Sequence, residues 1–542
     1  AFLSIEKTNN NLYRIKIYNT DKYLKNDLTF KTLDTTDDSF EFFLYHNSSK
    51  LFIENTAEYT PDNKFIKSTT DTLGNKTEYN INPNNGLINS KTEPNGCVIS
   101  YTYDEYENVT SISKNNKTVN YEYNDYLELS KIKSGNKEYN FTYDNFLNLK
   151  NVKIGNNITL INNEYETRNG NLLKATYGNN DEITYTYDEF ERVKKINKDT
   201  GSYNFKYDNF NNLSRVEHIL NNELLHNYRY FYDKQNRLIN YTIDDLKIKY
   251  DYDEQDNVVK KIYKFNNLIK TKDFTYNKEQ SLNKSVLDNT EVNYTFDALG
   301  RIQKRMINNL YKTEYSYLTN GLKTSLLIDK IKNNNDEFSY KYDNLNNITH
   351  VYYNNILQNR YYYNLFNELI KEDDYNKNIT IKYNYDNEGN ILTKETYELK
   401  TGNLLNKDTY EYNNQSWTDQ LTKYNNDDIT YDEIGNPLTI GENILTWQNG
   451  KELKSFNNIT YTYNKDGIRV SKKVNDITTN YILENSNILF EKTGNDMIYY
   501  LRDSNSKLIG LEHNGTTYYY LKNLQGDIVG IIDAENNLIA SY

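Results

Sequence analysis

The chain has 542 residues, of which 37% are hydrophobic and 14% aromatic, and its formal net charge is −12. This aromatic content is too high for a disordered chain, and an acidic balance without a basic run argues against a nucleic-acid binder. No stretch approaches the roughly 18 apolar residues of a transmembrane helix, and a single cysteine, Cys97, excludes an internal disulfide framework.

The first 60 residues contain two stretches of alternating polar and apolar side chains, LYRIKIYN and SFEFFLYH, but no Tyr-Asp unit. Alternation with period two is typical of a half-buried strand. We therefore predict a β-rich lead-in of unassigned type over residues 1–60.

A Tyr-x-Tyr-Asp motif then recurs, mostly about every 20 to 25 residues, and a fixed period of this size indicates a repeat architecture. The second aromatic residue of each copy stands at Tyr103, Tyr123, Tyr143, Tyr187, Tyr207, Tyr232, Tyr252, Tyr276, Phe296, Tyr317, Tyr342, Tyr363, Tyr385, Tyr412 and Tyr463. The residues that we predict to define the wall of the repeat are Tyr101, Tyr103, Asp104, Tyr143, Asp144, Tyr187, Asp188, Tyr207, Asp208, Tyr252, Asp253, Tyr342, Asp343, Tyr385 and Asp386.

One period is predicted to be about one β-hairpin. Tyr101 and Tyr103 share one face of an extended segment, and Asp104 stands where its carboxylate can accept hydrogen bonds from the turn. Asn108 is expected in the left-handed position that glycine often fills. A second strand, VTSIS, follows; Val109 breaks strict alternation there, which predicts a β-bulge.

About fifteen such units imply roughly thirty strands, and an open sheet of that width must coil, because open sheets rarely exceed about ten strands. Only one face of each Tyr strand is aromatic, while the other carries Thr, Lys, Glu and Asn. The expected fold is therefore all-β, with a coiled hairpin sheet over residues 61–437. Periodicity does not decide whether its middle is filled or hollow.

From about residue 438 the spacing loosens and glycine becomes more frequent. Terminal repeats are usually atypical, so residues 438–542 are predicted to form a closing cap. The residues chosen for closure at that end are Trp447, Tyr518, Tyr519, Tyr520, Gln525, Gly526 and Asp527.

At these residues the chain resembles the bacterial Rhs/YD-repeat family. The family unit xxYxYDxxGxL is matched by YTFDALGRI, YKYDNLNNI and YNYDNEGNI, and the segment from GNPLTI through YTYNKDGIRVSKKVN to GDIVGIIDAENNLIASY resembles the Rhs-associated core of Gram-positive members. The resemblance implies a large hollow β-shell that spirals around a toxin domain made in the same chain.

Self-cleavage cannot be carried over from the family. Its pattern continues with an Asp-Pro-x-Gly-Leu segment, whereas the prolines here are Pro61, Pro83, Pro94 and Pro437, none of which follows Asp. We expect the toxin domain itself to lie beyond Tyr542.

Enzymatic motifs are not found: the sequence has no GxSxG, HExxH, GxGxxG or phosphate-binding GK[ST] segment. His218 and His226 lie eight residues apart, and two polar surface residues are favoured over a metal pair. We therefore predict a chain that is not an enzyme and that holds no metal or cofactor.

The tyrosines allow two compatible interpretations. Cross-strand packing stabilises a sheet, and an amphipathic inner wall could hold an incompletely folded peptide while its hydroxyls face a cavity.

The predicted function is a secreted or cell-wall-associated shell that encloses, protects and delivers its own C-terminal toxin domain. Further partners would be a cell-surface glycan or receptor and an N-terminal plug or delivery protein, with no nucleic acid and no transmembrane segment. The alternative is a surface adhesion or carbohydrate-binding scaffold without cargo.

Overall fold

A computed structural model describes residues 2–8, 12–18, 53–115, 117–278, 280–503 and 506–542, and every regular element in these ranges is a β-strand. Strands β1 and β2 of the predicted lead-in form an antiparallel pair. The rest of that prediction, including SFEFFLYH, lies outside the described residues. None of the described residues forms a helix long and apolar enough to span a membrane.

The first seventeen strands are β1 Phe2–Thr8, β2 Leu12–Tyr18, β3 Thr56–Tyr59, β4 Ile66–Thr70, β5 Lys76–Ile81, β6 Ile88–Thr92, β7 Val98–Tyr103, β8 Val109–Lys114, β9 Lys117–Tyr123, β10 Leu129–Ser134, β11 Lys137–Tyr143, β12 Leu149–Ile154, β13 Ile158–Tyr165, β14 Leu172–Tyr177, β15 Glu182–Tyr187, β16 Val193–Lys198 and β17 Gly201–Tyr207.

The next eighteen are β18 Leu213–Leu220, β19 Glu223–Tyr232, β20 Leu238–Ile243, β21 Leu246–Tyr252, β22 Val258–Phe265, β23 Leu268–Tyr276, β24 Leu282–Leu287, β25 Thr290–Phe296, β26 Ile302–Ile307, β27 Tyr311–Asn320, β28 Lys323–Asn333, β29 Asp336–Tyr342, β30 Ile348–Tyr353, β31 Ile356–Tyr363, β32 Leu369–Asp374, β33 Ile379–Tyr385, β34 Ile391–Glu398 and β35 Leu404–Glu411.

The last fourteen are β36 Lys423–Tyr424, β37 Asp427–Tyr431, β38 Pro437–Ile440, β39 Asn443–Gln448, β40 Glu452–Phe456, β41 Ile459–Tyr463, β42 Arg469–Val474, β43 Ile477–Glu484, β44 Asn487–Thr493, β45 Asp496–Arg502, β46 Leu508–His513, β47 Thr516–Lys522, β48 Ile528–Asp533 and β49 Leu538–Ser541.

From β3 to β49 each strand pairs antiparallel with the next strand along the chain, so the sheet is a continuous row of hairpins. This confirms the all-β hairpin fold. The strands outnumber the expected thirty because segments without a clean Tyr-x-Tyr-Asp motif, such as β3 to β6 and β43 to β49, also fold into hairpins.

A β-bulge lies at the same place in the repeats. Thr102 pairs with Ser111, whereas the next residue, Tyr103, pairs with Val109, so Thr110 is the extra residue. The same shift occurs at Tyr143 and in many later repeats, including those at 187 and 207. The predicted bulge is confirmed, and it adds twist to the sheet once per repeat.

Long-range contacts show that the sheet coils. Residues 53–322 are called the first coil and residues 323–542 the second coil. Lys117 in the first coil contacts Glu368, 251 residues away, and Lys198 contacts Glu452, 254 residues away. Towards the C-terminus the separation shortens, to 229 residues between Thr290 and Tyr519. The coil therefore tightens at its C-terminal end.

The strand ends form two edges on each coil. The Tyr-Asp edge consists of the turns that follow the Tyr-x-Tyr-Asp strands, such as 104–108 and 364–368, and the opposite edge consists of the turns at the other ends, such as 93–97 and 134–137. The opposite edge of the first coil lies on the Tyr-Asp edge of the second coil. This contact is called the seam.

Candidate functional site

The predicted aspartates of the wall fix the turns of the Tyr-Asp edge. The Asp104 carboxylate accepts hydrogen bonds from the amides of Tyr106 at 2.9 Å and Asn108 at 2.8 Å, and from the Asn108 side chain at 3.0 Å. Asp144 repeats this pattern, and the hydrogen bond from the Asn148 side chain lowers the pKa of its carboxyl. The turn amides are likewise bound by Asp188, Asp208, Asp253, Asp343 and Asp386.

The left-handed residue of this turn is not the one expected. Glu107, with φ 68, takes that conformation, and Asn108 follows it. Gly300, with φ 75, stands three residues after Asp297 just as Glu107 stands three after Asp104. The expectation for Asn108 is wrong by one residue, because its side chain is needed to bind the Asp104 carboxylate.

The second tyrosine of each repeat ties its hairpin to the preceding one. The Tyr103 hydroxyl donates a 2.9 Å hydrogen bond to the carbonyl of Ile88, at the start of β6. Equivalent bonds of 2.6 to 2.9 Å are made by Tyr143, Tyr187, Tyr207, Tyr252, Tyr342 and Tyr385. These hydroxyls therefore do not face a cavity, contrary to one interpretation of the sequence.

The first tyrosine has a different environment. Tyr101 is half-buried while Thr102, on the other face, is exposed. Among the described residues, the hydroxyls of Tyr101 and Tyr121 meet no hydrogen-bond partner, so this face keeps free donors beside apolar rings. In these two repeats the first tyrosine therefore combines an apolar ring with a hydroxyl that has no partner among the described residues.

The first half of the seam, residues 94–200 against 344–452, is called the polar seam. Ion pairs join Lys117 to Glu368 at 2.7 Å and Lys137 to Asp419 at 2.6 Å. The most buried of these pairs joins Lys198, 10% exposed, to Glu452, 13% exposed, at 2.9 Å. Side-chain amides add hydrogen bonds across the same gap, such as Asn344 to the Pro94 carbonyl at 2.6 Å.

The second half of the seam, residues 246–311 against 484–532, is called the apolar seam. Its side chains form the main hydrophobic core: Leu246, Ile248, Tyr250, Tyr263, Phe265, Leu287, Val292, Tyr294, Ile307, Tyr311, Leu489, Phe490, Tyr499, Leu501, Ile509, Tyr519 and Ile532. Phe490 is fully buried, and its ring centroid lies 5.1 Å from those of Phe265 and Tyr499.

A buried ion cluster lies within the apolar seam. Glu484 accepts hydrogen bonds from Lys261 at 2.8 Å and from the Tyr263 hydroxyl at 2.9 Å. Lys272, 4% exposed, stands 5.1 Å from the centre of the Tyr263 ring, and burial lowers its pKa to about 8. Burial tends to raise the pKa of Glu484, but Lys261 and Lys272 outweigh it and the pKa is lowered.

The residues predicted for closure occupy several environments. Tyr519 is buried, and its hydroxyl lies 3.1 Å from Thr290 and accepts a 2.8 Å hydrogen bond from Asn308. Tyr520 is buried and Tyr518 half-buried beside it on β47. The others are Trp447, whose indole donates to the Pro437 carbonyl on the adjacent strand β38, and the exposed turn residues Gln525, Gly526 and Asp527.

That exposed turn belongs to a segment that returns to the start of the second coil. The Leu524 amide donates a 3.1 Å hydrogen bond to the Tyr340 hydroxyl, and Asn334 contacts Asn536 at 3.1 Å. Asp527 accepts a hydrogen bond from Asn523, which holds the turn. The C-terminal hairpins thus contact the first coil and also the start of the second coil, to which they belong.

Two features were missed or misjudged from the sequence. His218 is 6% exposed and stacks on Tyr203 at 4.3 Å between ring centroids, so it is not a surface residue. Trp417 lines a cleft of about 590 Å³ at the polar seam, with Asn414, Gln420 and Tyr431 among its other walls. Neither could be found from spacing, because both environments depend on contacts between strands.

No protein-family model matches the chain. The chain is 29% identical over 191 residues to the tRNA3(Ser)-specific nuclease WapA of Bacillus spizizenii, and 28% identical over 191 residues to the tRNA nuclease WapA of Bacillus subtilis. Each match covers 33% of this chain and 8% of the relative, so the chain corresponds to a small part of these proteins.

Among solved structures, the fold is similar to TcdB2-TccC3 without its hypervariable C-terminal region, with a TM-score of 0.55 and 13% identity over 90% of this chain and 30% of that one. It is also similar to the Photorhabdus luminescens Tc holotoxin pore, with a TM-score of 0.57 and 14% identity over the same shares. The repeat, the coiled hairpin sheet and these likenesses agree with the resemblance of the chain to the Rhs/YD-repeat family.

Proposed function

We propose that the chain forms the wall of a toxin shell, which encloses, protects and delivers a toxin domain lying beyond Tyr542. The observation that carries the proposal is the seam: the sheet coils, its edges join, and its C-terminal hairpins return to the start of the second coil. In this proposal residues 61–437 are the wall and residues 438–542 the closing segment.

The aromatic face supports an enclosing role. Half-buried first tyrosines whose hydroxyls are unbonded within the described residues, such as Tyr101 and Tyr121, offer an apolar ring and a polar group on one face of the wall. Such a surface can hold an incompletely folded peptide through many weak contacts. The wall itself would act mechanically and not as a catalyst.

The relatives supply the chemical context. Two curated relatives are named as tRNA nucleases, and one similar structure lacks a hypervariable C-terminal region. By analogy, the enclosed domain here would be a toxin of unassigned activity, and the shell would be secreted or cell-wall-associated. A glycan or receptor and an N-terminal plug or delivery protein remain proposed partners.

Protease protection tests the enclosure. A small protease-sensitive reporter domain is fused after Tyr542, and the same reporter is fused before residue 1 as the matched control. We expect the C-terminal reporter to survive a protease dose that digests the control. Lys198→Glu places an acid opposite Glu452 across the polar seam. This variant should restore cleavage of the C-terminal reporter. Digestion of both reporters at the same rate would reject enclosure.

One observation favours the second candidate, a carbohydrate-binding adhesion scaffold. The cleft at the polar seam combines Trp417 and Tyr431 with the side-chain amides of Asn157, Asn414 and Gln420, which suits a sugar ring with its hydroxyls. Two results together would favour this candidate over the shell. The chain would bind cell-wall polysaccharide and lose that binding in Trp417→Ala, and the protease would digest both reporters.

A further inference from the structure

Two histidines face each other across the hairpin of β18 and β19. His218 pairs directly with His226, and the centroids of their rings are 5.7 Å apart. A β-bulge at Leu225 precedes His226, and bulges are frequent where a strand re-aims a side chain next to a functional site. The hairpin thus brings together two imidazoles that the sequence separates by eight residues.

The ring of His226 is oriented by a carboxylate. Its Nδ1 lies 2.5 Å from Oδ2 of Asp244, and the Asn227 amide donates to Oδ1 of the same carboxylate at 3.3 Å. Because an ionised carboxylate only accepts hydrogen bonds, Nδ1 carries the proton of the neutral ring and the Nε2 lone pair is left for another partner. A histidine that binds a metal through one ring nitrogen usually donates the other ring N–H to a carboxylate in this way.

The ring of His218 is held in place, but its polar edge is not satisfied. It is 6% exposed and stacks on Tyr203, with 4.3 Å between the ring centroids. Its Nδ1 is buried and meets no hydrogen-bond partner among the described residues. A buried polar atom without a partner is rare in proteins and commonly marks a place for a water or an ion. Stacking covers a face of the ring and leaves the edge that carries the nitrogens available.

The separation of the two rings suits a single metal ion. An imidazole nitrogen binds Zn²⁺ at about 2.0–2.1 Å, so two imidazoles on one tetrahedral ion have their ring centres about 5.2 Å apart. The 5.7 Å found here exceeds that distance by about 0.5 Å. A small rotation of the His226 side chain, which is 29% exposed, can supply this change.

The charges around the pair do not oppose a cation. Lys198 acts on His218 as a positive charge, but its ammonium is paired with Glu452 at 2.9 Å. Asp244 adds a further carboxylate beside His226. These three charged groups together therefore leave one negative charge near the two rings.

We propose that His218 and His226 bind a divalent late transition metal ion, Zn²⁺ or Cu²⁺, with Asp244 as the positioning residue of His226. Imidazole is a preferred ligand of both ions. Within the described residues no group of three or more His, Cys, Asp and Glu side chains can hold a metal ion, so the protein supplies two ligands and water the others. The inference replaces the preference for two polar surface residues drawn from the sequence, and it is independent of the enclosing role.

Calorimetric titration of the full chain, prepared without a histidine affinity tag, tests the proposal with Zn²⁺ alone and with Cu²⁺ alone. We expect saturable binding of one ion per chain, with Cu²⁺ bound more tightly than Zn²⁺. His226→Gln removes a ligand and should weaken binding by at least about tenfold. Asp244→Asn should weaken it by about tenfold, because the ring loses the carboxylate that orients it.

Another histidine of the chain provides the matched control. His513 also has an acid nearby, with Asp496 3.9 Å away, but its cross-strand neighbours are Ile498 and Thr516. His513→Gln should therefore leave the binding of both ions unchanged. Thermal unfolding without metal shows that each variant is folded, and added Zn²⁺ should raise the unfolding temperature of the original chain but not that of His226→Gln.

Electron paramagnetic resonance of bound Cu²⁺ identifies the ligands. The spectrum of the original chain should show coupling to two imidazole nitrogens, and this signal should be lost in His218→Phe and in His226→Gln. Three outcomes would overturn the proposal: no saturable binding of either ion, binding that both histidine variants leave unchanged, or a Cu²⁺ spectrum without nitrogen coupling.

Discussion

The two halves of the seam join the same two coils with different chemistry. The polar seam relies on ion pairs and side-chain amides, such as Lys137 with Asp419 and Asn344 with Pro94. The apolar seam relies on buried rings, such as Phe490 between Phe265 and Tyr499. Because the hairpin repeat is common to both, the character of the contact depends on which side chains the turns and strand ends carry.

This difference predicts that the two halves of the seam differ in stability. Apolar burial stabilises most per residue, so the C-terminal end, where the coil tightens, is the firm part of the wall. Partly exposed ion pairs contribute little each, so the polar half is the part that opens first. The predictions below test that order.

The largest effect is expected in the apolar seam. Phe490→Ala removes a fully buried ring and should lower the free energy of unfolding by about 3–5 kcal/mol. Phe141→Ala, on a half-buried ring outside the apolar seam, should cost less than half as much. Urea unfolding of the two variants measures both; equal losses would show that the apolar seam is no firmer than the wall.

The buried ion cluster comes next. Glu484→Gln leaves Lys261 and Lys272 without their counter-charge, and the expected cost is about 3 kcal/mol. In the more exposed pair of Lys330 with Glu337, Glu337→Gln should cost less than about 1 kcal/mol. The same unfolding measurement compares the two, and similar costs would contradict burial as the cause.

The third effect is a loss of stability in acid. Burial, with Lys198 and His226 nearby, lowers the pKa of His218 to about 4 from its ordinary 6.5, so the folded protein binds fewer protons than the unfolded chain between these values. Stability should be full above about pH 6.5 and fall by about 2–3 kcal/mol towards pH 4.

A matched variant isolates this residue. His218→Phe keeps a ring against Tyr203 but cannot be protonated, so its stability should vary less between pH 6.5 and pH 4. Thermal unfolding over that range measures the difference. If His218→Phe leaves the pH dependence of stability unchanged, the loss of stability in acid is caused by other groups.

A smaller effect is expected in the polar seam. Lys117→Glu places a second acid beside Glu368, whose side chain is 19% exposed, and should cost about 1 kcal/mol. Glu368→Lys in the same chain should recover most of that loss, because the pair is restored with its charges exchanged. A double mutant no more stable than the single variants would mean that the pair does not contribute to the seam.

The smallest effect is expected for a hydrogen bond within one coil, between neighbouring hairpins. Tyr103→Phe removes the hydrogen bond to the Ile88 carbonyl and should cost about 0.5–1.5 kcal/mol. Tyr101→Phe, on the neighbouring first tyrosine, should be near neutral because its hydroxyl is unbonded within the described residues. Equal effects of the two substitutions would remove the distinction between the tyrosines.

Local geometry was largely predictable from the sequence. Alternation predicted the strands, the position of Val109 predicted the bulge, and Asp104 was correctly expected to bind turn amides. The left-handed residue is Glu107, three residues after Asp104, and not the predicted Asn108, four residues after it.

Contacts between the coils were not predictable. Lys117 and Glu368 are 251 residues apart, and nothing in either repeat encodes how many hairpins make one turn. The cleft at Trp417 depends on the same long-range arrangement, whereas His218 packs against its cross-strand neighbours Tyr203 and His226. The closing role assigned to Trp447, Tyr518, Tyr519, Tyr520, Gln525, Gly526 and Asp527 remains a prediction.

The repetition of one hairpin along the sheet has an evolutionary consequence. Repeated sequences are prone to gain or lose whole units, and one extra hairpin would fold locally as well as its neighbours. Placed between Lys117 and Glu368, however, it would advance one coil by a hairpin relative to the other and shift the alignment of partners such as Lys198 and Glu452. The contacts between the coils thus constrain the number of hairpins per turn, although each hairpin folds independently of that number.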